Sequence, residues 1–151
     1  MKSTFVILSF LAMVLPCQAS PGEGDIEVGV ILGDPVYLSV KKWLGRTTAI
    51  DGALSLKDDG KNSTYELHVD YLKHDFGMIP VNKGALPVYY GVGLKIKDDK
   101  DFTTSIRVPV GVSYLFEDAP FTVFFEYALL LDVSNSTSLH SETALGMRYS
   151  F

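Results

Sequence analysis

The stretch Ser63-Thr64-Tyr65-Glu66-Leu67-His68-Val69-Asp70-Tyr71-Leu72-Lys73-His74 decides the fold. Tyr65, Leu67, Val69 and Tyr71 fall at every second position, and Glu66, His68 and Asp70 fill the positions between them. Successive side chains of an extended strand point to opposite faces, so this segment has one apolar and one charged side. Helical three-and-four spacing is absent from it.

The same alternation recurs on both sides of this segment. Val88, Tyr90, Val92, Leu94 and Ile96 alternate with Gly91, Gly93 and Lys95; Ile106, Val108, Val110 and Val112 alternate with Ser105, Arg107, Gly111 and Ser113. Upstream, Val28 and Val30 flank Gly29, and Leu38 and Val40 flank Ser39. Strands are expected at 25–33, 36–44, 48–56, 63–74, 86–96, 102–116, 121–132 and 139–151. Turn chemistry breaks the pattern at Gly33-Asp34-Pro35, Gly45-Arg46, residues 58–62, residues 98–101, residues 117–120 and residues 134–138. Residues 75–85 are harder to assign, as an extension of the fourth strand or a loop closing one end.

Alternation of this kind fits a soluble barrel with an apolar interior or a membrane barrel with an apolar exterior. Gly29, Gly91, Gly93, Gly111 and Gly146 lie on the polar face. A solvent-facing surface gains nothing from them, whereas the narrow lumen of an eight-stranded barrel needs small residues among large ones. Phe116 and Phe121 flank a short turn, and Tyr149 and Phe151 sit at the end of the last strand, as an interfacial girdle requires. Expected strand lengths of about nine to eleven residues suit a tilted bilayer span. The expectation is an all-β, eight-stranded antiparallel up-and-down transmembrane barrel over residues 20–151.

Export is read from the N-terminus. Lys2, an apolar run over residues 5–15 and the site Cys17-Gln18-Ala19 have the form of a signal peptide, residues 1–19, cleaved after Ala19. Pro16 before Cys17 fits lipidation poorly. Cleavage removes the only cysteine, and with it any disulfide or thiol chemistry. Losing Lys2 takes the formal charge from −5 to −6, which argues against a nucleic-acid partner.

Several segments carry a resemblance: residues 38–44 (Leu-Ser-Val-Lys-Lys-Trp-Leu), residues 68–74, Tyr89-Tyr90-Gly91-Val92-Gly93, residues 107–111, Phe124-Phe125-Glu126-Tyr127, and residues 146–151. Through them the chain resembles small Gram-negative outer-membrane β-barrel proteins of the OmpA- and OmpX-like size class. The resemblance implies a place in the outer membrane, lipid as the main partner and a monomeric barrel. It also implies that Tyr149 and Phe151 serve as the terminal aromatic signal by which barrel-assembly machinery recognises its clients. It brings no catalytic residue and no cofactor.

On the polar face, Glu27, Asp51, Glu66, Asp70, Glu126 and Glu142 are expected to meet Lys41, Lys95, Arg107 and Arg148 inside the barrel. Buried charges must pair, and eight strands leave room for side chains and not for a water-filled pore. Arg107 and Glu126 form a natural pair. The expected role is a structural plug in a barrel with a structural or interaction function.

Metal and catalytic readings are weaker. His68, Asp70 and His74 share a face, but residues two apart on a strand are nearly 7 Å apart (~) and no second cluster completes a set. His140, Ser141 and Glu142 invite comparison with lipid-modifying barrels, yet His140 and Ser141 point to opposite faces. Asn62 and Asn135 match glycosylation acceptors only as common loop residues. No metal, cofactor or catalytic residue is expected. A soluble lipocalin-like carrier, its Val/Leu/Tyr stripe lining a ligand cavity, is the first alternative, and a lipid-modifying enzyme the second. Pro109, which cannot donate to a ladder, is expected to sit at a bulge.

Overall fold

The computed structural model describes residues 21–151; the expected signal peptide lies outside them. Eight strands follow one another: β1 (Ile26–Leu32), β2 (Tyr37–Trp43), β3 (Thr48–Asp58), β4 (Ser63–Asp75), β5 (Val88–Asp98), β6 (Phe102–Leu115), β7 (Phe121–Asp132) and β8 (Ser138–Ser150). Each pairs antiparallel with its sequence neighbour, and β8 pairs with β1, so the sheet closes into a barrel without an edge. The lengths run from 7 residues in β1 and β2, shorter than the sequence suggested, to 14 in β6.

The registers define how the barrel is sheared. From Val28 the cross-strand partners run Val40, Gly52, Val69, Leu94, Ile106, Leu131 and Leu139. On β8, Leu139 lies six residues before Leu145, the partner of Leu32, so one circuit returns ten positions further along the line of β1. Such a stagger tilts the strands by about 40° and leaves an interior that side chains fill.

Pro109 does not sit at a bulge. Partner numbers run in step along both of its ladders, with Pro109 opposite Ala128 on β7. On the β5 side the pairing lapses between Tyr90↔Val110 and Gly93↔Arg107 and then resumes in the same register. Proline removes a donor without adding a residue. The ladder therefore loses a contact but not its phase, and the ring is buried in the lumen.

The two faces segregate cleanly. Val92 and Leu94 are 54% and 56% exposed on the outer wall, and most of the Val/Leu/Tyr stripe is exposed with them, while Val88, Val112, Tyr114, Val123 and Tyr149 near the terminal rim are half-buried. Glu27, Lys41, Asp51, Asp70, Arg107, Glu126 and Arg148 are buried inside. A carrier with an apolar cavity needs the reverse arrangement.

Both described ends of the chain lie at one rim, with the turns after β2, β4 and β6. At this terminal rim Tyr114 packs edge-on against Phe116 at 4.8 Å, and Tyr149 packs on Phe121 at 5.4 Å and on Phe151 at 4.9 Å. Residues 76–87 form the longest connection. β4 runs on to Asp75, Ala85 bridges Leu115, and Phe76 lies 6.2 Å from the Trp43 ring at the terminal end of the lumen. The four turns at the far rim are short, and Gly60 and Asn135 supply the positive φ values that two of them need.

Candidate functional site: the charged lumen

The lumen is filled in three layers. At the terminal end, Trp43 Nε1 donates to Glu27 Oε1 at 2.7 Å, and Lys41 Nζ lies 2.8 Å from His74 Nε2. The Lys41 ammonium also sits 4.2 Å from the centroid of the Trp43 ring, and His74 stacks against Tyr89 at 5.2 Å. This layer joins Glu27 and Lys41 with the rings of Trp43, His74 and Tyr89.

The middle layer holds two arginines. Arg107 forks between Asp70 and Glu126, one terminal nitrogen to each. Arg148 donates through Nε to Ser39 Oγ at 2.9 Å and through Nη2 to Asp51 Oδ2 at 2.8 Å, with its guanidinium 4.0 Å from the Phe124 ring centroid. Planar, forked donors of this kind hold two acceptors at once, which a lysine does less well.

At the far end, Lys95 Nζ reaches Glu142 Oε1 at 2.5 Å, Glu66 Oε2 at 2.9 Å and Tyr37 Oη at 3.2 Å, while Tyr37 donates to Glu66. Lys97 adds a longer contact to Glu66 at 3.4 Å. Beside them Asp132 accepts from Ser105 at 2.5 Å and from Ser138 at 2.8 Å.

Glycines make the middle of this network possible. Arg148, Gly29 and Ser39 form one cross-strand row, Asp70, Gly93 and Arg107 a second, and Tyr89, Gly111 and Glu126 a third. In each row the outer two residues hydrogen-bond over the glycine between them, Tyr89 to Glu126 at 2.9 Å. Strands two apart are separated by about 9–10 Å, a span that these side chains cover only where the strand between carries none. A Cβ on Gly93 would collide with Asp70 Oδ1, and one on Gly111 would lie 2.5 Å from Tyr89 Cζ.

The structure thus places Glu27, Lys41, Asp51, Glu66, His68, Asp70, Lys95, Arg107, Glu126 and Arg148 in one lumen. Two expectations about geometry change. His68 and Asp70 lean together, with Nε2 and Oδ2 3.8 Å apart, closer than strand spacing alone suggests. A third residue, a second carboxylate, also stands beside them, because β3 sets Asp51 directly opposite Asp70. His140 lies at the far rim with Nδ1 3.7 Å from Asp132, and Ser141 pairs with Leu129, so the histidine and this serine do not meet.

Sequence reasoning missed the inward aromatics Tyr37, Trp43, Tyr89 and Phe124. Parity was the available clue: Tyr37 and Trp43 are in phase with Ser39 and Lys41, Tyr89 with Gly91 and Gly93, and Phe124 with Glu126.

No protein-family model matches the sequence, and no curated protein matches it. Among solved structures, the chain is similar to the N-terminal β-barrel domain of Pseudomonas aeruginosa OprF, with a TM-score of 0.59 and 14% sequence identity. The match covers 87% of this chain and all of that domain. At that identity the likeness concerns the fold, an eight-stranded closed antiparallel barrel.

Proposed function

We propose that the protein is a monomeric outer-membrane barrel with a structural or interaction role in the bacterial envelope, its lumen plugged by the charged network. The observation that carries this reading is the inverted polarity of the barrel. Soluble monomers rarely expose apolar patches beyond a few hundred Å², and here the apolar surface encircles the molecule while the charges are inside. Lipid satisfies that surface, and a closed sheet satisfies every strand edge within it. Strands β3 to β8, of 11 to 14 residues, are long enough for a tilted span.

The plug follows from the three layers. On this reading the rings at the terminal end and the Arg107 and Arg148 pairs fill the bore with side chains and block passage of water along it. The protein is neither a general pore nor an enzyme on this reading. Tyr149, half-buried, and Phe151, exposed, stand at the terminal rim and are the residues offered to the assembly machinery during biogenesis.

Refolding residues 20–151 into phosphatidylcholine vesicles tests the proposal. The barrel should float with the vesicles and, in planar bilayers, leave the baseline conductance unchanged. Stable channel steps contradict the plug, and failure to float contradicts the membrane placement.

A further inference from the structure

We propose that Asp51, His68 and Asp70 form a binding site for a divalent transition-metal ion of the zinc class, reached from the far rim. The three residues are buried, and one ligand atom from each lies within 4.8 Å of the others. Zinc bonds of about 2.1 Å place tetrahedral donors roughly 3.4 Å apart, so side-chain adjustment of about 1 Å closes the set. One imidazole and two carboxylates suit zinc better than calcium or magnesium, which prefer shells of six or more oxygens.

Three further observations point to a ligand there. The first is unmet bonding capacity: Asp51 Oδ1, Asp70 Oδ1 and His68 Nδ1 are buried without a hydrogen-bond partner among the described residues. Unpartnered buried polar atoms are costly and call for an explanation. The second is like charge. Asp51 and Asp70 are direct cross-strand partners on the inner face, an arrangement that repels unless something positive sits between them. Arg148 and Arg107 each take one oxygen, Oδ2 in both cases, and leave the other.

The third is the local balance of charge. Beyond the Glu27 and Lys41 layer, the inner face carries six carboxylates, Asp51, Glu66, Asp70, Glu126, Asp132 and Glu142. Against them stand three cations, Lys95, Arg107 and Arg148, an excess of three negative charges, two of which one divalent ion offsets. Lys97 lies at the rim and is half exposed. A cavity of about 280 Å³ at the far rim, lined by Asp34, Glu66 and Glu142 among others, reaches His68 and Arg107, while Asp51 and Asp70 lie outside its lining.

Calorimetric titration of zinc into metal-free residues 20–151, refolded in detergent, tests the site. The expected result is one saturable ion per chain, with affinity falling roughly tenfold or more in His68→Gln and in Asp51→Asn, and unchanged in His140→Gln. Unboiled gel mobility verifies that each variant is folded. Should His68→Gln fail to fold, cobalt added to the unaltered barrel serves instead, since its visible spectrum reports coordination by nitrogen and oxygen in a buried, distorted shell. Absence of saturable zinc binding, loss of binding in His140→Gln alone, or a cobalt spectrum of the hydrated ion overturns the proposal.

Discussion

Arg107 and Asp70 stand on strands that do not touch, β6 and β4, and their side chains meet over Gly93 of the strand between. The pairing is therefore a property of three residues. Arg148 and Ser39 over Gly29, and Tyr89 and Glu126 over Gly111, repeat the device around the wall. Bonds of this kind tie alternate strands together in addition to the ladders that tie neighbours.

A methyl group at Gly93 tests the device. Gly93→Ala places Cβ where the Asp70 carboxylate now lies and against the backbone of Val69 and Asp70, which cannot yield without shifting the strand. Urea unfolding in detergent micelles should show a loss of about 1–3 kcal/mol, the usual cost of overpacking. Gly33→Ala, where the added carbon meets only ordinary contact at 3.4 Å, should change stability little.

Removing the base from the middle layer should cost more. Arg107→Met leaves Asp70 and Glu126 buried without their shared cation, a loss of about 3–5 kcal/mol in the same unfolding experiment. Neutralising both acids in the triple variant Arg107→Met, Asp70→Asn, Glu126→Gln should restore most of that loss. A triple variant as unstable as the single one contradicts the view that the unpaired charges set the cost.

Much of this architecture was legible in the sequence because the period of a strand is two and both faces are decisive. Val92 and Gly93, or Val69 and Asp70, cannot exchange faces without putting charge into the outer wall, so eight strands and their phase follow from the alternation. Register and shear did not follow. They depend on which residues pair across strands far apart in sequence, as β1 and β8 do, and a single strand carries no record of that. For the same reason Asp51 was not seen as the neighbour of Asp70: 19 positions separate them in the chain, and only the β3–β4 register brings them together. Pro109 misled because its missing donor suggested an extra residue, and the two are independent.

The single tryptophan reports on the two faces directly. Trp43 is 1% exposed and points into the lumen, held by Glu27 and Lys41. Brominated lipids should quench its fluorescence weakly. In the background Trp43→Phe, Leu94→Trp on the outer wall should be quenched several-fold more. Equal quenching at the two positions contradicts the assignment of faces.

The central claim, that the apolar wall faces lipid and the charges face inward, is tested most directly by the gel mobility of residues 20–151 refolded with and without detergent. The account predicts faster migration of the unboiled sample than the boiled one when detergent is present, and aggregation without it. A compact, soluble monomer in plain buffer contradicts it.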